Sequence, residues 1–180
     1  VIRATGGLPQ RYTNATRTAL TQMVSGNPVR QQCDNFDQIF RNDATCSFGR
    51  KVKPGDYEVA VFGDSMADHW VPMIAAYAER HGLSGRQVTN GGCAFFPERE
   101  IPGEGSAKRR ECAAYQSEAL RFIDANPKLK LAVISAYWSK WQPRFNAAGS
   151  DEAAFERELT SVVDRLRRRG IHVLLLGQIP

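Results

Sequence analysis

The stretch that decides the fold is Glu58-Val59-Ala60-Val61-Phe62-Gly63-Asp64-Ser65-Met66-Ala67-Asp68-His69-Trp70. It opens with a short apolar run containing β-branched residues and halted by Gly63, which reads as a buried strand. From Met66 to Arg80 the apolar residues fall at helical spacing, with Trp70, Ile74, Tyr77 and Ala78 on one side and Gly82 as the stop. A buried strand thus passes straight into a helix through Gly63-Asp64-Ser65. That junction begins a β–α unit.

The alternation continues downstream. Arg86 to Thr89 reads as a second strand ending in Asn90-Gly91-Gly92, and a long loop runs from Cys93 to about Lys108. A helix is expected from Arg109 to Ala125, closed by Asn126-Pro127, and a buried-type strand from Lys130 to Ser135. Asp151 to Arg169 is strongly amphipathic, with Ser150 as its cap and Gly170 as its stop. Ile171 to Leu176 reads as another buried-type strand. Apolar strands alternating with helices imply an α/β domain with a parallel sheet covered on both faces.

Residues 1–55 differ. They are rich in Asn, Gln, Thr, Gly and Arg, with one short helix expected from Thr16 to Val24 before Gly26-Asn27-Pro28. They read as an irregular lead-in to a domain spanning 56–180, rather than as a second domain. The chain has 180 residues, 42% hydrophobic and 24% charged, which suits one globular domain. No apolar run approaches the roughly 20 residues that cross a bilayer, and no leader precedes Val1. The expectation is either a cytosolic protein or a piece whose targeting segment lies elsewhere.

The cysteines bear on that choice. Four are present, without the Cys-x-x-Cys spacing of a zinc site. Proximity favours Cys33–Cys46 and Cys93–Cys112 among the three possible pairings, and disulfides would place the chain in an oxidising compartment. Four buried free thiols are the alternative. The net charge of +5 is scattered, and the densest run, Arg165 to Arg169, closes a helix whose dipole it offsets. Nucleic acid is not an expected partner, because no aromatic-interleaved basic patch accompanies that run.

In a parallel sheet the functional groups gather beyond the carboxyl ends of the strands. Three ends matter: Gly63-Asp64-Ser65, Asn90-Gly91-Gly92, and Ser135-Ala136-Tyr137-Trp138. A serine at a helix N-terminus has unpaired backbone N–H groups beside it, which is where an oxyanion is stabilised. Ser65 is therefore the candidate nucleophile, although Asp64 and Ser65 are also common as plain N-caps. Gly91 and Gly92, with Gly92 favoured, would bring backbone amides close to a ligand; a simple turn explains them otherwise. Asp64 could orient the loop or touch substrate. Tyr137, Trp138 and Trp141 could stack on a sugar ring, or pack.

A base for Ser65 is harder to find. His69 lies one helical turn along, better placed for packing; His81 ends a helix; His172 starts a strand, at the wrong end of the sheet.

The blocks around these residues resemble the GDSL/SGNH hydrolases. They are Val61 to Trp70, Asn90-Gly91-Gly92-Cys93-Ala94-Phe95-Phe96-Pro97, Cys112-Ala113-Ala114-Tyr115 and Val133-Ile134-Ser135-Ala136-Tyr137-Trp138-Ser139. The chain is most similar to SGNH domains fused to integral-membrane acyltransferases that O-acetylate bacterial surface polysaccharides. The resemblance implies a flavodoxin-like αβα sandwich, a Ser nucleophile at Ser65 and a glycine oxyanion donor at Gly92 or Gly91. It also implies an acyl donor and a polysaccharide acceptor, a tethering membrane domain, a periplasmic setting, and no metal or organic cofactor.

Three departures stand out. Met66 occupies a position where the subgroup often has His. The third block lacks the usual Asn. No Asp-x-x-His follows the last strand, so the domain is expected to lack its C-terminal block, with the base beyond Pro180. The expected function is an O-acyl transferase or esterase acting on a carbohydrate hydroxyl, in a fragment inactive without that block. A non-catalytic glycan-binding module on the same fold is the alternative. A cytosolic receiver or nucleotide binder is a weaker option that free thiols would favour.

Overall fold

The computed structural model describes residue 13 and residues 26–35, 44–97, 105–149 and 153–177. Five strands form one sheet in the order β1-β3-β2-β4-β5. These are β1 (Ser47–Gly49), β2 (Val59–Gly63), β3 (Ser84–Thr89), β4 (Leu131–Ser135) and β5 (His172–Leu176). Strands β2 to β5 run parallel, and β1 adds antiparallel to the free side of β3. The helices are α1 (Arg30–Cys33), α2 (Ser65–Arg80), α3 (Ser106–Ala125), α4 (Trp138–Gly149) and α5 (Ala154–Arg168). The α/β reading holds.

Period-two alternation splits the sheet into two cores. Val59 and Val61 of β2 and Val133 of β4 pack with Ala67, Val71 and Ile74 of α2. Ala60, Phe62, Ala132 and Ile134 point the other way, into a larger core with Tyr115, Ala119 and Ile123 of α3 and Val162 and Leu166 of α5. Both expected disulfides are present, Cys33–Cys46 and Cys93–Cys112, so no cysteine is free. The free-thiol alternative, and the cytosolic receiver it favoured, lose their support.

Several expectations change. The lead-in is not wholly irregular: Ser47–Gly49 is a strand, and Phe48 lies over Gly85, where a side chain would collide with its ring. The segment after β4 forms α4, a helix the sequence did not suggest because Pro143 interrupts it. The helix read as Asp151 to Arg169 runs Ala154–Arg168; at its start Phe155 N–H donates to Asn146 Oδ1, and the proposed cap Ser150 lies outside the described residues. The helix expected at Thr16 to Val24 also lies outside them.

Strand β5 is not buried. It is the edge of the sheet among the described residues: Val173 packs on the core that includes α5 and Leu176 on the core that includes α2, while Leu174 and Leu175 remain 41% and 43% exposed. Its apolar composition matches that of a central strand. Its position does not.

Candidate active site

Gly63 ends β2 with φ +135°, and a Cβ there would sit 1.8 Å from the Ser135 carbonyl oxygen of β4. Only glycine permits both the turn and that approach. Beneath it, the Tyr115 phenol of α3 accepts from Gly63 N–H (3.1 Å) and donates to the Val88 carbonyl (2.8 Å). Complete burial holds that phenol protonated, its pKa pushed above the usual range. Composition gave no hint of this bracing role.

Asp64 caps α2, and its Oδ1 accepts from Met66 N–H (2.9 Å). Its Oδ2 accepts from Tyr137 N–H (2.9 Å) and Trp141 Nε1 (2.7 Å). The residue is buried, and both oxygens are taken by protein donors. The expected substrate contact at Asp64 is thus corrected: its carboxylate ties the β4–α4 connection to the α2 elbow. Trp141 is wholly buried and cannot stack on a sugar. Trp138 packs edge-on against Phe96 and Phe155 and donates to the Leu176 carbonyl (2.7 Å), so its ring is a wall rather than a platform. Tyr137 stays 44% exposed beyond β4.

Ser65 is the first residue of α2 and half-buried, and its hydroxyl has no hydrogen-bond partner among the described residues. The turn after β3 docks on the strand end just before Ser65, where Asn90 N–H donates to the Gly63 carbonyl (2.9 Å). Lys108 of α3 donates to the Gly91 carbonyl and to Glu111, both at 2.7 Å, while Asn90 Nδ2 also reaches Glu111 (3.0 Å). The Cys93–Cys112 bond fixes the same turn to α3. The two glycines differ in use. Gly91 N–H is spent on the Asp34 carbonyl (3.3 Å), which removes Gly91 as an oxyanion donor. Gly92 sits at φ +75°, and its N–H meets no acceptor among the described residues.

The lead-in reaches this site through a buried polar cluster. Asp68 of α2 accepts from Asn27 Nδ2 (2.6 Å) and Gln87 Nε2 (2.8 Å). Arg30 Nε lies 3.5 Å from Asp68 Oδ2 and 3.8 Å from Asp34 Oδ2. Burial pushes both carboxyls up, and with the Asp68 charge alongside, Asp34 rises to about 7. Neither residue stood out in the sequence.

No histidine serves Ser65. Arg30 Nη1 donates to His69 Nε2 (2.9 Å), which leaves the His69 proton on Nδ1. His81 lies against Tyr77, and His172 begins β5 at the end of the sheet remote from Ser65. A groove of about 950 Å³ runs between β1, residues 50–54 and the back of α2, and does not include Ser65. No cluster of three or more metal-binding side chains occurs among the described residues. No helix among them is long and apolar enough to cross a membrane.

Comparison with curated proteins finds no match. Among solved structures, the chain is similar to the periplasmic domain of the Salmonella ser. Paratyphi A lipopolysaccharide acetyltransferase, with TM-score 0.52 and 12% identity. The match covers 88% of this chain and 61% of that one, and establishes likeness of fold. The serine elbow, the glycine turn and both disulfides all fall within residues 32–180, the span matched by the model of the SGNH domain fused to AT3 domains, and the chain belongs to that family.

Proposed function

We propose that this domain transfers or hydrolyses O-acyl groups, most simply acetyl, with Ser65 as nucleophile and a carbohydrate hydroxyl as acceptor. Family membership supports acyl chemistry in general. The observation that carries the assignment to Ser65 is the pattern of used and unused donors. Around the elbow, the N–H groups of Gly63, Met66 and Gly91 are all engaged, whereas those of Ser65 and Gly92 have no acceptor among the described residues. Two unspent amides beside one unspent hydroxyl suit a tetrahedral oxyanion.

The Ser65 oxygen attacks the donor carbonyl and its proton passes to a base. The carbonyl oxygen takes the negative charge and is held by the Ser65 and Gly92 amides. Collapse expels the donor's alcohol or thiol, which takes the proton and leaves an acyl-serine. A sugar hydroxyl then attacks that ester, its proton passing through the base to the Ser65 oxygen as the acyl–serine bond breaks, to give the O-acyl product and free Ser65; water in its place gives the free acid.

The base belongs to a histidine on a segment that pairs with the open edge of β5. The exposed Leu174 and Leu175 support this placement, because parallel sheets bury both faces of their strands. Tyr137 is the remaining aromatic able to meet a sugar. The two disulfides favour an extracytoplasmic site of action, and the AT3 fusion favours a membrane-bound acyl supplier as partner domain.

The test uses the full-length protein and a fluorophosphonate probe. Labelling that disappears in Ser65→Ala supports the reading. A folded full-length protein that neither labels nor turns over acetyl esters overturns it. That outcome would favour a glycan-binding module, in which the exposed Tyr137 meets the sugar.

A further inference from the structure

We propose that Asp34 is a positioning residue for the turn that offers the Gly92 amide, coupling its own protonation to the placement of that turn beside Ser65. The proposal rests on the function proposed above only in giving the turn its catalytic meaning. The coupling stands on geometry.

Asp34 touches the turn twice. Its carbonyl accepts the Gly91 N–H at 3.3 Å, and its carboxyl oxygen Oδ2 faces the bare Cα of Gly91. A Cβ on Gly91 would lie 3.3 Å from Oδ2 and 3.6 Å from the Asp34 carbonyl oxygen. Gly91, unlike Gly92, does not have a positive φ. What a side chain there would meet is Asp34, which would have to give way by a few tenths of an ångström. The lead-in is held there by the Cys33–Cys46 bond, by Thr89 Oγ1 donating to the Cys33 carbonyl (3.3 Å), and by Asn27 on Asp68 and Gln87. A change in charge at Asp34 thus meets a segment fastened on its far side, with the glycine turn on its near side.

The charged and titratable groups around Asp34 are few. Arg30 comes from its own helix, Asp68 and Asp64 from α2, and Tyr115 from α3. The Thr89 hydroxyl lies beside its carboxyl from β3, and His69 meets the far side of Arg30. Across the turn, Lys108 grips the Gly91 carbonyl. Asp64 already has three donors of its own, so Asp34 and Asp68 share a single guanidinium. Asp34 Oδ1 and Asp68 Oδ2 are buried without a hydrogen bond.

The sign follows. Asp34 rises from 3.8 to about 7 in the folded chain, so the fold favours its protonated form. Its contribution is fully present below pH 3.8 and is lost as the pH climbs through about 7. Above that range a second carboxylate competes for Arg30, and negative charge stands beside a turn meant to receive an oxyanion. The lead-in is then a wall of the site that weakens it in alkaline surroundings.

The test is amide and carboxyl NMR on the 180-residue chain, titrated from about pH 5 to about pH 9. The Gly91 and Gly92 amides should move together with a midpoint near 7, matched by the side-chain carboxyl carbon of Asp34. Asp34→Asn should abolish the movement. Asp68→Asn should lower the midpoint by about one unit by removing the like charge. His69→Gln should leave it in place. An Asp34 carboxyl titrating in the ordinary carboxylate range in the unaltered chain overturns the proposal, and that reading needs no variant to fold. So does a Gly91 midpoint that persists in Asp34→Asn. Ser65 reactivity enters none of these readouts, so an unreactive serine would refute the function and not the coupling.

Discussion

Trp141→Phe isolates the bond between the α4 indole and the Asp64 carboxylate. The substitution keeps an aromatic ring in the wholly buried site and removes the N–H that donates at 2.7 Å to Oδ2. Oδ2 keeps Tyr137 N–H, and Oδ1 keeps Met66 N–H, so the carboxylate loses one of three donors. A hydrogen bond to a charged group is worth about 1.5–3 kcal/mol. Shrinking the ring adds about 1 kcal/mol for unfilled volume, less than a truncation to Ala would. The expected destabilisation is about 3 kcal/mol, a drop of about 1.5 M in the urea midpoint for a slope of about 2 kcal/mol/M. A double-mutant cycle with Asp64→Asn separates the bond from the cavity. It should return a coupling energy of about 1.5–3 kcal/mol, because the pair is in direct contact and buried. Circular dichroism is the suitable signal, since the substitution alters the indole fluorescence. A coupling energy within about 0.5 kcal/mol of zero would refute the claim that Trp141 ties α4 to the elbow.

Other expectations are checked more simply. Gly63→Ala places a methyl 1.8 Å from the Ser135 carbonyl oxygen at φ +135°, so β2 and β4 must separate; a loss of about 4 kcal/mol in urea unfolding is expected. An unchanged midpoint would mean that the two strands part freely there. Replacing Cys93 and Cys112 together by Ser opens a loop of sequence separation 19, at a stability loss of about 3 kcal/mol. Faster hydrogen exchange should follow at Gly92 and Cys93, and exchange that is unchanged there would show that Lys108 and Asn90 suffice to hold the turn.

The parts readable from sequence were those encoded over short distances. The run Val59 to Phe62 and its Gly63 stop locate β2, and helical spacing from Met66 locates α2, because each pattern lies within one element. The cysteine pairs were readable because each closes a short local loop. Strand β5 was misjudged because its apolar residues say nothing of whether a neighbour covers them. Helix α4 was missed because Pro143 looks like a breaker, although Trp141 anchors the helix to Asp64. Of the candidate site, the positions of Ser65 and Gly92 could be read from their strand ends; their roles remain those proposed above. Asp34 could not: it lies in a polar lead-in far along the chain from Gly91, and only the folded sheet brings them together.

The Tyr115 phenol has a consequence for how protons travel. It fills the slot between the departing ends of β2 and β3, where a mobile water molecule would otherwise satisfy the same amide and carbonyl. Fixed to a helix and wholly buried, it closes the underside of the Gly63 elbow with protein, its own hydrogen committed to the Val88 carbonyl. In the reaction proposed for Ser65, the departing proton therefore needs a base other than this phenol.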